Sequence, residues 1–352
     1  MKKVFHWSYI APVIAWIFYL FIPSDTGMLV NAIAIVALVV NVLSAVHHAE
    51  VVAHKVGEPY GTIVLAIAVT LLEASIIVSL MLTGGAGADT YARDTLLAAV
   101  MIILNGILGI SMLVGAFKFK EQTFETKSVT IALVSLVSIL VITLVLPNFT
   151  TSVEGPTYNT PQLIAVAISC GLIYGTFLFT QTVRHRKYFL ADVTGEEKSV
   201  TKAEGIISLV LLLVCLGVVI VLAKKLSPVI EDAVVAAGLP TALVGVAIAA
   251  VILLPEGIAA IRSAQRNQYQ TSINLGLGSA LASIGLSIPT VVIVCTLMDL
   301  PLVLGVDGKS MVLLGLSVFT VMLSLNKGRT NSLYAVVLLV NLMMYIFTII
   351  YA

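Results

Sequence analysis

Charge is what this chain has least of: Asp, Glu, Lys and Arg make up 11% of its 352 residues, against 59% hydrophobic ones. Soluble domains carry about 25% charged residues, so a soluble catalytic domain is excluded. A mean hydropathy of +1.10 points instead to a polytopic membrane protein. Cysteine is scarce too. Cys170, Cys215 and Cys295 each fall inside an apolar run with no paired spacing, which argues against a disulfide framework and a thiolate metal site. The basic residues form no patch suited to nucleic acid, and a net charge of +1 singles out no partner. Gly84-Gly85-Ala86-Gly87 lacks the Lys and Ser/Thr of a phosphate-cradling loop, so no ATP site is expected. His-Glu-x-x-His is missing, every aspartate falls in a predicted loop, and no histidine matches the intramembrane serines in depth, which disfavours an intramembrane enzyme.

What is abundant is apolar runs of membrane-spanning length. Windows of about 20 residues between polar breaks give eleven predicted spans: 8–23, 29–48, 61–82, 96–117, 128–147, 161–182, 204–223, 240–261, 273–297, 311–325 and 332–351. The first follows Lys2 and Lys3 but carries Trp7, Tyr9, Trp16 and Tyr19 in place of a small-residue cleavage site, and reads as a retained helix. With these spans, fifteen Lys and Arg collect on the N-terminal side of the membrane and four (Arg93, Lys224, Lys225, Lys309) on the other. That positive-inside bias places the N-terminus in the cytoplasm and the C-terminus outside. The charged stretch from Arg184 to Lys202 becomes a cytoplasmic linker between halves.

Two glutamates stand within the spans. AIAVTLLE ends at Glu73 and AIAAVILLPE at Glu256. A charged group at the bilayer centre costs roughly 2.5–3.5 kcal/mol on insertion scales, so a chain that retains two uses them. Gly57-Glu58-Pro59 precedes one run and Gly238-Leu239-Pro240 the other, and Asn105-x-x-x-Gly109 and Asn274-x-x-x-Gly278 follow in the next span of each half. Five spans separate the copies, so they run in opposite directions, as inverted repeats of secondary transporters do. The expected fold is an all-α polytopic membrane protein with about eleven transmembrane helices: an N-terminal helix (1–28), a five-helix repeat (29–183), a cytoplasmic linker (184–203) and an inverted five-helix repeat (204–352). From Gly61 to Glu73 is about 18 Å of helical rise, near the middle of a hydrocarbon core about 30 Å thick.

Two ionised carboxylates in a low-dielectric site repel one another unless protons or a cation intervene. A site that alternates between two protons and one divalent cation is an antiporter's site. Ca²⁺ takes six to eight oxygens, and two glutamates supply four at most. Thr70, one turn before Glu73, Ser279 and Ser283 at i, i+4, and Asn105 and Asn274 at the repeated positions are candidate ligands; interhelical hydrogen bonding is their alternative role. Pro255 lacks an N–H, which leaves the Val251 carbonyl without its helical donor and predicts a bend beside Glu256. His47, His48, Glu50 and His54 read as an interfacial polar cap in preference to a proton relay, and Glu196-Glu197 as a solvated cluster.

GEPYGTIVLAIAVTLLEAS around Glu73, and LLPEGIAAIRSAQRNQYQTSINLGLGSALASIGLSIPT from Leu253 to Thr290, resemble the bacterial calcium/proton antiporters of the cation/proton exchanger family, within the calcium/cation antiporter superfamily. The resemblance implies alternating access in which Glu73 and Glu256 bind the cation and carry protons. It implies Ca²⁺ and H⁺ as transported partners, no cofactor and no ATP, and leaves a homo-oligomer open. The sequence departs from a Gly-Asn-x-x-Glu form, with Val69-Thr70-Leu71-Leu72 and Ile252-Leu253-Leu254-Pro255 before the two glutamates. Na⁺(K⁺)/H⁺ or Na⁺/Ca²⁺ exchange on the same scaffold is the alternative, and a channel the less favoured one.

Overall fold

The computed structural model describes residues 7–21, 27–57, 60–82, 87–189 and 201–351. Lys2, Lys3, Glu58, Pro59, Gly84 to Ala86 and Glu196-Glu197 lie outside the described residues. Each of the eleven apolar windows coincides with a helix: α1 (Trp7–Phe21), α2 (Met28–Val56), α3 (Tyr60–Met81), α4 (Tyr91–Phe119), α5 (Thr126–Phe149), α6 (Thr160–Arg184), α7 (Lys202–Ala236), α8 in two pieces (α8a, Ala242–Ile252; α8b, Leu254–Gln265), α9 (Tyr269–Met298), α10 (Gly308–Leu325) and α11 (Ser332–Ile350). Nine of these are long and apolar enough to cross a membrane alone, and the bent α8 makes ten. With 15 residues, α1 rises about 22 Å, short of a full hydrocarbon core.

Several helices overrun their apolar windows, because backbone bonding continues where the hydrocarbon ends. Asp94 therefore lies in the first turn of α4, where the helix dipole favours an acid, and Asp232 lies within α7. The expectation that every aspartate sits in a loop is corrected at these two positions.

The helices group into two compact units, residues 1–88 with 195–238, and residues 89–194 with 239–352. In the first, α2 packs against α1, α3 and α7. Gly57 ends α2 at φ +78°, a conformation that costs other residues a clash at Cβ. Gly61 then brings α3 against the Ala53 carbonyl, where a Cβ would overlap it. Pro12 has no amide for the carbonyl of Ser8 one turn back. Two side chains of α2 serve that carbonyl instead: Ser44 Oγ donates to it at 2.8 Å and His48 Nε2 lies 3.1 Å away, while His48 Nδ1 meets Ser208 Oγ of α7 at 3.4 Å. His48 is wholly buried. It ties three helices together and is not the interfacial cap the sequence suggested.

In the second unit, α9 runs against α5, α6, α8b and α4, with small residues at the contacts: Gly276 faces Leu108, and Gly285 sits under Tyr174. Three connections are sewn together at one end. Gln122 N–H donates to Thr330 Oγ1 (2.8 Å) and Thr330 N–H to Gln122 O (2.9 Å), beside a lone bridge between Thr123 and Arg329. The Gln122 side chain donates to Ala264 O (2.9 Å) and Asn267 Oδ1 (3.1 Å) after α8b. At the opposite ends, Tyr158 donates to Ile142 O at 2.7 Å. Burial, with Cys170 nearby, pushes the Tyr158 phenol up to about 12, so it stays neutral.

Candidate functional site

Glu73 lies within α3, an unbroken 22-residue helix, and is 2% exposed. Thr70, one turn earlier, is also buried, and its Oγ1 has no hydrogen-bond partner. A buried hydroxyl oxygen with no partner costs about 1–3 kcal/mol, which a bound cation or water would recover.

Glu256 has a different setting, although the preceding sequence is nearly the same. The helix breaks at Leu253 with a bend of 55°. Leu253 N–H closes α8a on Ala249 O (3.0 Å), and the first bond of α8b runs from Gly257 N–H to Leu253 O (2.9 Å). Pro255 thus occupies the second position of α8b, where its missing N–H would have had no helical acceptor. The bend is the one expected at Pro255, displaced two residues upstream. Glu256, half-buried in the first turn of α8b, stands where unpaired amides and the helix dipole favour negative charge. Val251, half-buried, lies one residue inside the end of α8a.

Asn105 is fully buried in a π-helical turn, Ile102–Ile107, within α4. Such a turn shifts amide bonding from i−4 to i−5 and recurs at functional sites. The Asn105 side chain occupies the place vacated: Nδ2 donates to Met101 O (3.2 Å) and to Ser317 Oγ of α10 (2.9 Å). Its donors are spent, while Oδ1 is buried without a partner. Two residues on, Ile107 Cδ1 meets α8b at Gly257, 3.3 Å from where a Cβ would stand. Asn105 is therefore carried on the helix that abuts Glu256's neighbour.

The second half places its polar residues otherwise. Asn274 accepts from Gln270 Nε2 (2.9 Å) and donates to Phe189 O (2.7 Å), so both ends of its amide are engaged. It lies five residues inside α9, about 8 Å deep, whereas Glu256 is nine residues from the adjoining end of α8b, about 14 Å. Ser279, half-buried and ten residues in, matches Glu256 in depth; Ser283, buried, lies a turn deeper. The repeated Asn-x-x-x-Gly pattern thus falls at unequal depths. Sequence reading missed Ser317, which fixes the Asn105 amide from 212 positions away. It also missed a cavity of about 280 Å³ lined by Asp94, Asp307, Lys309 and Tyr345, whose carboxylates are held by Arg93 (2.7 Å) and Lys309 (3.9 Å).

Residues 26–183 and 207–351 match the family described as sodium/calcium exchanger protein. The chain is 43% identical over 84% of its length, and 82% of the relative's, to y4hA of Sinorhizobium fredii, named only as an ionic transporter. It is 32% identical over 91% of its length, and 88% of the relative's, to the sodium-potassium/proton antiporter ChaA of Escherichia coli. The solved Ca²⁺/H⁺ antiporter protein YfkE superposes with a TM-score of 0.71 at 16% identity, covering 98% of both chains. At that identity the likeness is one of fold: an all-α membrane protein of two inverted five-helix repeats after an N-terminal helix.

Proposed function

The chain belongs to the sodium/calcium exchanger family, and from that premise we propose that it is a proton-coupled antiporter whose exchanging groups are Glu73 and Glu256. Members of this family are multi-pass secondary transporters, not enzymes. The observation that carries the proposal is Glu73: an acid 2% exposed inside an unbroken apolar helix is retained only where a proton or a cation accompanies it.

Two carboxylates balance two protons or one Ca²⁺. Each glutamate gives up its proton when the cation binds and regains it when the cation leaves, so the cation moves one way and protons the other. Ca²⁺ is the cation proposed, expelled from the cytoplasm against two entering protons, with the Lys- and Arg-rich connections on the cytoplasmic side. Thr70 Oγ1 and Asn105 Oδ1, both buried without a hydrogen-bond partner, are the neutral oxygens best suited to ligation. Asn274, Ser279, Ser283 and the Val251 carbonyl are further candidates, Asn274 least of all because its amide is engaged.

A second reading, Na⁺ or K⁺ exchanged for protons, is supported by the relative named a sodium-potassium/proton antiporter. The test is cation uptake into inside-out vesicles under an imposed pH gradient. Glu73→Gln and Glu256→Gln are each expected to abolish uptake; normal transport in either removes that residue from the mechanism. Collapse of the gradient by Na⁺ or K⁺, with no response to Ca²⁺, selects the second reading.

A further inference from the structure

Away from the glutamates, α5 and α6 leave between them an open groove of about 730 Å³. Its walls are Val134 on one helix and Leu172, Ile173 and Phe177 on the other, with Arg184 and His185 at one end. The hydroxyls along it are largely turned inward on their own helices. Thr130 donates to Thr126 O, Ser135 to Ile131 O and Thr180 to Thr176 O, at 2.8–3.0 Å. The flanks are therefore hydrocarbon in character.

The Arg184 end differs in charge. A π turn, Thr180–Arg184, closes α6 there. The next residue, His185, stacks on Tyr188 with ring centroids 5.1 Å apart, and Lys127 from the start of α5 lies over the other partner in that stack, its Nζ 5.1 Å from the Tyr188 centroid. Arg184 thus lines the mouth, and Lys127 is joined to it through the His185–Tyr188 stack. Glu125, the acid at that end of α5, accepts from the Lys127 amide at 3.3 Å and so serves as the helix cap. From Leu172 to Arg184 is about 18 Å of helical rise, close to the roughly 15 Å depth of one leaflet's hydrocarbon.

We propose that this groove holds an anionic phospholipid, one acyl chain along α5 and α6 and its phosphate against Arg184 and Lys127. Basic pockets between helix ends capture such headgroups, and an apolar groove ending in cations fits one molecule with both characters. The site acts independently of the glutamates and is read without transport.

The test is lipid binding to the purified full chain in detergent, comparing phosphatidylglycerol with phosphatidylcholine of the same acyl chains, and with inorganic phosphate. Phosphatidylglycerol is expected to bind about tenfold or more tightly than phosphatidylcholine, phosphate not to compete, and the Lys127→Gln/Arg184→Gln pair to erase the preference. Leu172→Trp, at a position 66% exposed and so safe for folding, is expected to expel the lipid by filling the groove. Equal binding of the two lipids, competition by phosphate alone, an undiminished preference in the charge pair, or unchanged binding in Leu172→Trp overturns the proposal. So does cross-linking of two chains through Val134→Cys, which would make a second copy the occupant.

Discussion

Gly115→Ala offers a sharp test of how the connections of the second unit are joined. Helix propensity by itself favours Ala over Gly by about 1 kcal/mol. In α4, however, the Gln122 side chain lies over Gly115, so a Cβ there would overlap Oε1 and stand 2.7 Å from Cδ. Gln122 is 2% exposed and has nowhere to retreat without releasing Ala264 O and Asn267 Oδ1. Two hydrogen bonds worth about 1 kcal/mol each are lost, and a buried carbonyl left bare adds about 1–3 kcal/mol. Against the propensity gain, the net destabilisation is about 2–4 kcal/mol. With Gln122→Ala in place the obstacle is gone, and Gly115→Ala then stabilises by about 0.5–1 kcal/mol. The measurement is a double-mutant cycle of unfolding in detergent. A Gly115→Ala effect of the same sign in both backgrounds refutes the reasoning.

Other predictions concern the first unit and the ions. His48→Ala removes one of two partners of the Ser8 carbonyl and is expected to cost about 1–2 kcal/mol in thermal unfolding; in Pro12→Ala, whose new amide can serve Ser8, the loss should shrink. Asn105→Leu should raise KM for the cation in vesicle uptake, and Ser317→Ala should do so to a lesser degree by loosening the Asn105 amide; an unchanged KM in Asn105→Leu denies that oxygen a role in binding. Raising pH ionises carboxylates, so apparent cation affinity should climb with pH, by up to two protons released per Ca²⁺, and level off once both are ionised. Calorimetry of Ca²⁺ binding in buffers of different ionisation enthalpy counts those protons, and none released would sink the exchange mechanism.

The helices were legible because apolar windows of membrane length have few alternative explanations, and Glu73 and Glu256 stood out as candidates because acids inside such windows are costly. Gly57 and Gly238 were noticed as repeat markers, and their shared cause is physical: both take positive φ where a helix ends. What stayed hidden depends on partners distant in sequence or on backbone register. A π turn leaves no mark on side-chain type, so the setting of Asn105 could not be foreseen. Asn274, its twin on paper, sits near a helix end because α9 starts only five residues before it. A histidine near the end of an apolar run looks the same whether it borders water or, like His48, is enclosed by three helices. Pro12 was a readable clue to a vacant carbonyl, but nothing local says that α2 would fill it.

The interruption at Leu253 sets the two acidic helices apart in compliance. Where the amide ladder is already cut and a proline forbids its repair, α8a and α8b can swivel without sacrificing a backbone bond. The intact rod that bears Glu73 has no such joint and must travel whole or stay put. Similar apolar runs thereby endow one half of the molecule with an elbow and the other with a strut.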